Sequence, residues 1–213
     1  MSAQTIGLFD TPIVIDELPN ASAVNTALKP LILARRAARP GVQVSNIGGW
    51  QSEHDVAEWG GEPIAYLLRH IVALADRHCI DIVSPDAPRH DWASDIWVNV
   101  SPPHASNQMH THPGAYWSAV YYVDDGSEQE DGAIGGELVI EDPRMPMVLM
   151  TMPNLRLRGA NGAVHEPQLK MKVRSGRIIM FPSWLSHGVV PHRGARDRIS
   201  VAINLLAVPR APA

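Results

Sequence analysis

Hydrophobic and polar positions along the chain follow two periods, and the change falls near Trp92. Before it the spacing is helical. Asn20 stands as a possible N-cap ahead of SAVNTALKPLILARRAAR, where Pro30 must kink or divide the segment, so one helix and two are both open. After Pro63, a natural first-turn residue, Ile64, Leu67, Leu68, Ile71, Val72 and Ala75 recur at helical spacing up to Cys79. That predicts a helix with one apolar face. Between the two segments lies NIGGWQS (Asn46–Ser52), whose paired glycines suit a tight turn or close backbone approach, with Trp50 packed under it.

From Trp92 onward the chain breaks into short strand-like runs divided by Pro, Gly and Asp. They are Asp95–Val100, Tyr116–Val123, Glu137–Glu141, Gln168–Arg174, Arg177–Phe181, His187–Val190 and Arg198–Val208. Such runs without intervening helices indicate a mainly β antiparallel sandwich or barrel, with the preceding helices packed on the outer face of one sheet. The connection Pro143–Pro167 is long for a compact domain. Its methionine-rich stretch, Met145–Met152, reads as an adaptable apolar surface, a loop clamped onto the sheet, or a homodimer contact.

At 213 residues, 45% of them hydrophobic, the chain suits a single domain. Residues 1–90 form its helical support region, 91–208 its β core and 209–213 a tail. A formal charge of -4 argues against a broad electrostatic grip on nucleic acid or an anionic membrane and favours a small-molecule partner. The N-terminal residues lack a basic flank leading into an apolar stretch, and no run approaches the roughly 18 residues of a membrane span. One cysteine, Cys79, allows no intrachain disulfide and excludes a Cys-rich zinc site. The expectation is a soluble, cytoplasmic protein.

Ten histidines are many for this length. His110 and His112 form H-T-H just before AYWSAVYYV; in an extended segment alternate side chains point the same way, so both imidazoles can converge on one point. His187 lies in FPSWLSHGVV, where the turn Pro182–Ser186 delivers it to another strand. Such a trio can hold a metal, and imidazole suits iron, zinc, copper or nickel alike. The plainer reading is histidines that cap turns or hydrogen-bond in the core. His54, His70, His78, His90, His104, His165 and His192 show no partner pattern and default to surface or structural roles. Strand alternation places Arg198, Ser200, Ala202 and Asn204 on one face. A guanidinium turned inward is costly unless an anion meets it, and its planar fork matches a carboxylate, so Arg198 beside the histidines points to a bound acid. Without them it would read as an exposed or paired residue at a strand start.

In these residues the sequence resembles the double-stranded β-helix oxygenases that use Fe(II) and 2-oxoglutarate. Their pattern is H-x-D/E, a distal His, and an Arg followed two positions on by Ser or Thr. Here the matching residues are His110-Thr111-His112, His187 and Arg198-Ile199-Ser200. Val120–Val123 (VYYV) is similar to the strand in prolyl-hydroxylase-type members whose second Tyr, Tyr122 here, holds the cosubstrate's distal carboxylate. Gly135–Pro143 and GRIIMFPSWLSH match further segments of those enzymes. A group of bacterial and phage-associated oxygenases is more similar still, through Gly48–Ser52, Asn107–Pro113, Ser118–Tyr122, Phe181–Val189 and Arg198–Asn204.

The resemblance implies a double-stranded β-helix, that is a cupin-like jelly-roll barrel, with Fe(II) and 2-oxoglutarate as cofactors. It implies that Arg198, helped by Tyr122 or Ser200, anchors the distal carboxylate, and that Asn99 either hydrogen-bonds the metal-bound carboxylate or serves the ladder. The activity implied is dioxygen-dependent hydroxylation of a substrate C–H as 2-oxoglutarate becomes succinate and carbon dioxide. Trp117 and Trp184 are assigned to core packing, and Asn204 to ordering water or tying adjacent strands.

One feature departs from the pattern, because His112 stands where Asp or Glu is expected. Three arrangements follow: a facial site of His110, His112 and His187; His112 as first ligand with Gly114 in the carboxylate slot; or His110 and His187 alone, with His112 behind them. Glu137 or Asp142 could supply a carboxylate only if the fold brings them in. Rival functions are a cupin-type metal dioxygenase without 2-oxoglutarate, a zinc hydrolase, and a binding module for a small acid that has lost catalysis.

Overall fold

The computed structural model describes residues 6–7, 9–127, 135–144, 152 and 154–210. Its core is two antiparallel sheets. The six-stranded sheet runs in the order β1 (Val14–Glu17), β9 (Arg177–Pro182), β6 (Trp117–Asp124), β11 (Arg198–Pro209), β4 (His90–Ser101), β3 (Trp50–Gln51). The five-stranded sheet runs β2 (Asn46–Ile47), β5 (Ser106–His110), β10 (His187–Val189), β7 (Leu138–Glu141), β8 (Gln168–Met171). Strands distant in sequence thus become neighbours, as a jelly roll requires.

Period-2 alternation divides the large sheet into two chemically different faces. Ile96, Val98, Val100, Ile199, Val201, Ile203 and Leu205 point outward and share one apolar cluster with Leu28 and Ile32 of α1 (Ala21–Ala38) and Ile64, Leu67 and Ile71 of α3 (Gly61–Arg77). Each such fully buried aliphatic side chain contributes about 1.5–3 kcal/mol, which binds both helices to that face. The opposite face looks into the molecule. Its cross-strand rungs are Asp95–Asn204–Ser118, Trp97–Ala202–Val120, Asn99–Ser200–Tyr122 and Ser101–Arg198. Residues directly opposite in a ladder share a face, so the inner wall grades from Asp95 at one end to Arg198 at the other.

Several local features differ from expectation. α1 is continuous through Pro30, because Val24, Leu28 and Ile32 bury a stripe that spans it and offsets the missing backbone bond. Asn20 does not cap with its side chain; it is left-handed (φ 56), and its carbonyl accepts from the Ala23 and Val24 amides. β1 pairs with β9, adding a strand ahead of the runs expected from Asp95 onward. The glycine pair of NIGGWQS carries the chain from β2, paired to β5 in the small sheet, to β3, paired to β4 in the large one. A Cβ on Gly49 would lie 3.2 Å from the Val100 carbonyl oxygen, which accounts for the glycine there. A short helix, α2 (Val56–Trp59), then leads into α3. Of Met145–Met152 only Met152, which is exposed, lies within the described residues.

Candidate metal centre

β5 ends at His110, and β10 begins with His187 directly across from it. The chain leaves the sheet before His112, whose backbone N–H donates to the Ser183 carbonyl at 3.1 Å. H-T-H is therefore a strand end plus a turn, not one unbroken strand. One ligand nitrogen from each of His110, His112 and His187 lies within 4.8 Å of the other two. Three donors each about 2.1 Å from one ion lie at most about 3.6 Å from one another, so small inward movements of the rings bring this trio onto a shared ion.

Two of the rings are aimed by the backbone. His110 Nδ1 lies 2.7 Å from the Gln108 carbonyl and His187 Nδ1 2.9 Å from that of Leu185. A carbonyl only accepts, so each Nδ1 carries the proton and each Nε2 keeps a lone pair for the centre. His112 has no such bond; its ring rests against Trp97, with centroids 5.3 Å apart. Burial above all, helped by the neighbouring histidines, lowers His187 to about 3. Burial, and then the charge of His110, lowers His112 to about 4. Both are neutral near pH 7, the form that binds a metal. Neither Glu137 nor Asp142 joins this group; Asp142 pairs with Arg144 at 2.8 Å. Gly114 (φ +91) has open space where a side chain would point.

Behind the histidines lies a cavity lined by Asn99, Tyr122, Arg198 and Ser200. Arg198 is 2% exposed and forms no ion pair among the described residues. Its Nε, the Tyr122 hydroxyl and Asn99 Oδ1 are all buried without a hydrogen-bond partner among the described residues. The guanidinium sits 5.3 Å from the centroid of the Tyr122 ring. Burial raises the Tyr122 phenol above its ordinary value, against the pull of the Arg198 charge, so the hydroxyl stays protonated and able to donate. A buried guanidinium with an unpartnered Nε beside an unpartnered hydroxyl fits a carboxylate, which would satisfy both. Gly136 (φ +75) makes the space: a Cβ there would lie 3.1 Å from Arg198 Cδ.

Other residues fall differently from their sequence-based assignments. Trp117 is buried and donates from Nε1 to Cys79 Sγ at 2.9 Å, but Trp184 is 57% exposed on the turn before His187. Asn204 ties strands, its Oδ1 accepting from Ser118 Oγ at 2.8 Å. Two histidines without a sequence pattern have defined places. His192 is fully buried, with Nε2 on the Arg196 carbonyl at 2.7 Å and Nδ1 unpartnered. His54 Nδ1 is 2.5 Å from Asp95 Oδ1, and its ring stacks on Trp97 at 5.2 Å. Neither partnership is legible in spacing: His54 reaches Asp95 across 41 residues, and His192 meets a backbone carbonyl, which carries no side-chain pattern.

Comparison with known proteins agrees with this geometry. The family model described as "Putative 2OG-Fe(II) oxygenase" matches residues 95–204, just over half of the chain. No curated protein sequence matches. Among solved structures, a prolyl hydroxylase from Trichoplax adhaerens, in complex with a hypoxia inducible factor peptide fragment, superposes with a TM-score of 0.61 at 17% identity, covering 91% of this chain and 83% of its own. A Pseudomonas putida prolyl-4-hydroxylase gives 0.57 at 17% identity, covering 95% and 94%. SnoN, a non-heme alpha ketoglutarate dependent epimerase from nogalamycin biosynthesis, gives 0.58 at 14% identity, covering 94% and 79%. At these identities the likeness concerns the fold, a double-stranded β-helix.

Proposed function

From its membership of the 2OG-Fe(II) oxygenase family, to which this chain belongs, we propose that His110, His112 and His187 hold the iron and that Arg198 anchors the 2-oxoglutarate. The single observation that carries this is the buried Arg198, without an ion pair among the described residues, in the cavity behind three converging histidines. A metal-only dioxygenase or zinc hydrolase gives that guanidinium no task.

When bound, Fe(II) and 2-oxoglutarate supply the means to activate dioxygen, with the keto acid leaving as succinate and carbon dioxide. The chain's own residues do the rest. Arg198 meets the distal carboxylate through its planar fork, Tyr122 donates its hydroxyl to the same group, and Ser200 stands beside them on the Asn99–Ser200–Tyr122 rung. Asn99 faces the same cavity, nearer the histidines' end of the rung ladder than Arg198, and serves the keto acid's other polar end. The backbone carbonyls of Gln108 and Leu185 hold the His110 and His187 rings in their ligating tautomer. His112 replaces a carboxylate with a neutral imidazole, leaving the metal one negative charge short. Lower Fe(II) affinity and a stronger Lewis acid are the consequences.

A small organic molecule is the proposed substrate; SnoN, similar in fold, is an epimerase from nogalamycin biosynthesis. A reducing cytoplasm fits the lone half-buried Cys79. Among the described residues no helix is long and apolar enough to cross a membrane. The test is aerobic incubation with Fe(II) and 2-oxoglutarate, followed by quantification of succinate. Iron-dependent succinate formation, lost in Arg198→Ala and His187→Ala, supports the reading. Tight zinc binding with no succinate would sink it.

A further inference from the structure

On the side of the histidines away from Arg198 lies a second chamber of ≈ 240 Å³, lined in part by Gln51, His54, Asp95, Trp97, Asn204 and the outer edges of His110 and His112. Gln51 of β3 and Val44 and Ser45 ahead of β2 line it on one side, which gives Gln51 a place that the iron and keto acid leave unassigned. Its volume falls below the roughly 300 Å³ at which pockets for drug-sized ligands begin, so it suits a molecule of a single ring or a few carbons.

Charge is sorted across the histidines. The described residues lining this outer chamber include no Lys or Arg, and Asp95 is the carboxylate among them. Arg198 lies on the same inner wall six residues of β11 away from Asn204, the rung partner of Asp95, a separation of about 20 Å at ~3.3 Å per residue. The inner end answers an acid and the outer end answers a base. Asp95 is also aimed: its Oδ1 is engaged by His54 Nδ1 at 2.5 Å, and the His54 ring is stacked on Trp97 at an interplanar angle of 26°. Its Oδ2 accepts no hydrogen bond among the described residues.

Resting on the oxygenase reading of the centre, we propose that this chamber is the primary-substrate subsite and that it takes a small molecule bearing a protonated amine. Asp95 receives the ammonium through Oδ2, His54 fixes the direction of the carboxylate, and the His54 and Trp97 rings with the Gln51 and Asn204 amides bound the remainder of the ligand. The ammonium is thereby held at the rim and the carbon skeleton faces His110 and His112.

The probe pair is benzylamine and benzyl alcohol, equal in size and different in charge, titrated into metal-free protein so that neither can ligate an ion. Chemical shifts of the tryptophan indole N–H groups are followed by NMR, with the Trp97 signal assigned from Trp97→Phe. Benzylamine is expected to shift the Trp97 signal and to bind at least tenfold tighter than the alcohol. That preference is expected to vanish in Asp95→Asn and to return in Asp95→Glu, which also controls for a folding defect. Equal affinity for the two probes, a preference that survives Asp95→Asn, or shifts confined to other tryptophans would each overturn the proposal. In parallel, wild-type protein is given Fe(II) and 2-oxoglutarate anaerobically. A charge-transfer band without any amine preference overturns this proposal alone, whereas no band overturns the oxygenase reading and this one with it.

Discussion

Arg198 and Tyr122 lie guanidinium to ring, 5.3 Å apart, and the two polar atoms buried with them, Arg198 Nε and the Tyr122 hydroxyl, have no hydrogen-bond partner among the described residues. An arrangement of this kind costs the fold stability, because a buried charge has given up its hydration without a counter-ion among the described residues. On the proposed function, a carboxylate seated between the two groups would complete both.

Replacing Arg198 by Met removes the buried charge at similar volume. The ligand-free protein is expected to become more stable by about 1–4 kcal/mol, the range seen when buried ionic groups give way to apolar ones. 2-Oxoglutarate should at the same time lose roughly 10–100-fold in affinity, as expected for about 1.5–3 kcal/mol of charge-assisted hydrogen bonding. Thermal melts with and without 2-oxoglutarate and metal check both halves. A destabilised variant that still responds to the keto acid would mean that Arg198 has another task.

Gly136→Ala acts on the same pocket from outside. The position requires φ +75, and the new Cβ would press on Arg198 Cδ at 3.1 Å. Backbone strain of about 1–2 kcal/mol is expected. The more telling readout is kinetic: KM for 2-oxoglutarate should rise several-fold while metal affinity, measured by competition with a chelator dye, stays near wild type.

Acid should weaken the metal-free protein earlier than carboxylate titration alone would. The folded state holds His187 at about 3 and His112 at about 4, both depressed by burial, whereas unfolded histidine titrates near 6.5. Between roughly pH 6.5 and 4 the unfolded chain therefore takes up protons that the folded chain does not, and stability falls as pH falls. Urea midpoints measured in chelator should decline from pH 7 to pH 5, and His187→Phe should flatten the decline. An unchanged slope in that variant would count against a neutral, buried His187.

On the far side of the large sheet, Leu67 of α3 is fully buried against β-strand residues. Leu67→Ala is expected to cost about 2–5 kcal/mol in urea unfolding. Succinate formation at low temperature should survive, because this face of the sheet carries none of the proposed site.

The inner wall was legible in the sequence because strands impose a strict alternation. Arg198, Ser200, Ala202 and Asn204 are on one face as their spacing requires, and Tyr122 joins Ser200 on one rung. The convergence of His110, His112 and His187 was legible from ligand chemistry and resemblance, although His112 is placed by a hydrogen bond to Ser183 that no spacing encodes. What escaped was long-range and local at once: β1, the two-residue strands β2 and β3, and the partnerships of His54 with Asp95 and His192 with Arg196. Short strands take their stability from the sheet they join, so their own residues carry little signal. Trp184 was misplaced for the opposite reason, since its apolar bulk says core while the turn that carries it leaves the ring in solvent.

The most direct measurement of whether three histidines and one arginine form a single functional unit is an anaerobic titration of Fe(II)-loaded protein with 2-oxoglutarate, followed by visible absorption. A saturable charge-transfer band in the wild type, abolished in His187→Ala and requiring far more 2-oxoglutarate in Arg198→Ala, is the predicted result. A protein that binds Fe(II) yet shows no band at any keto-acid concentration, or one whose band is indifferent to Arg198, would contradict it.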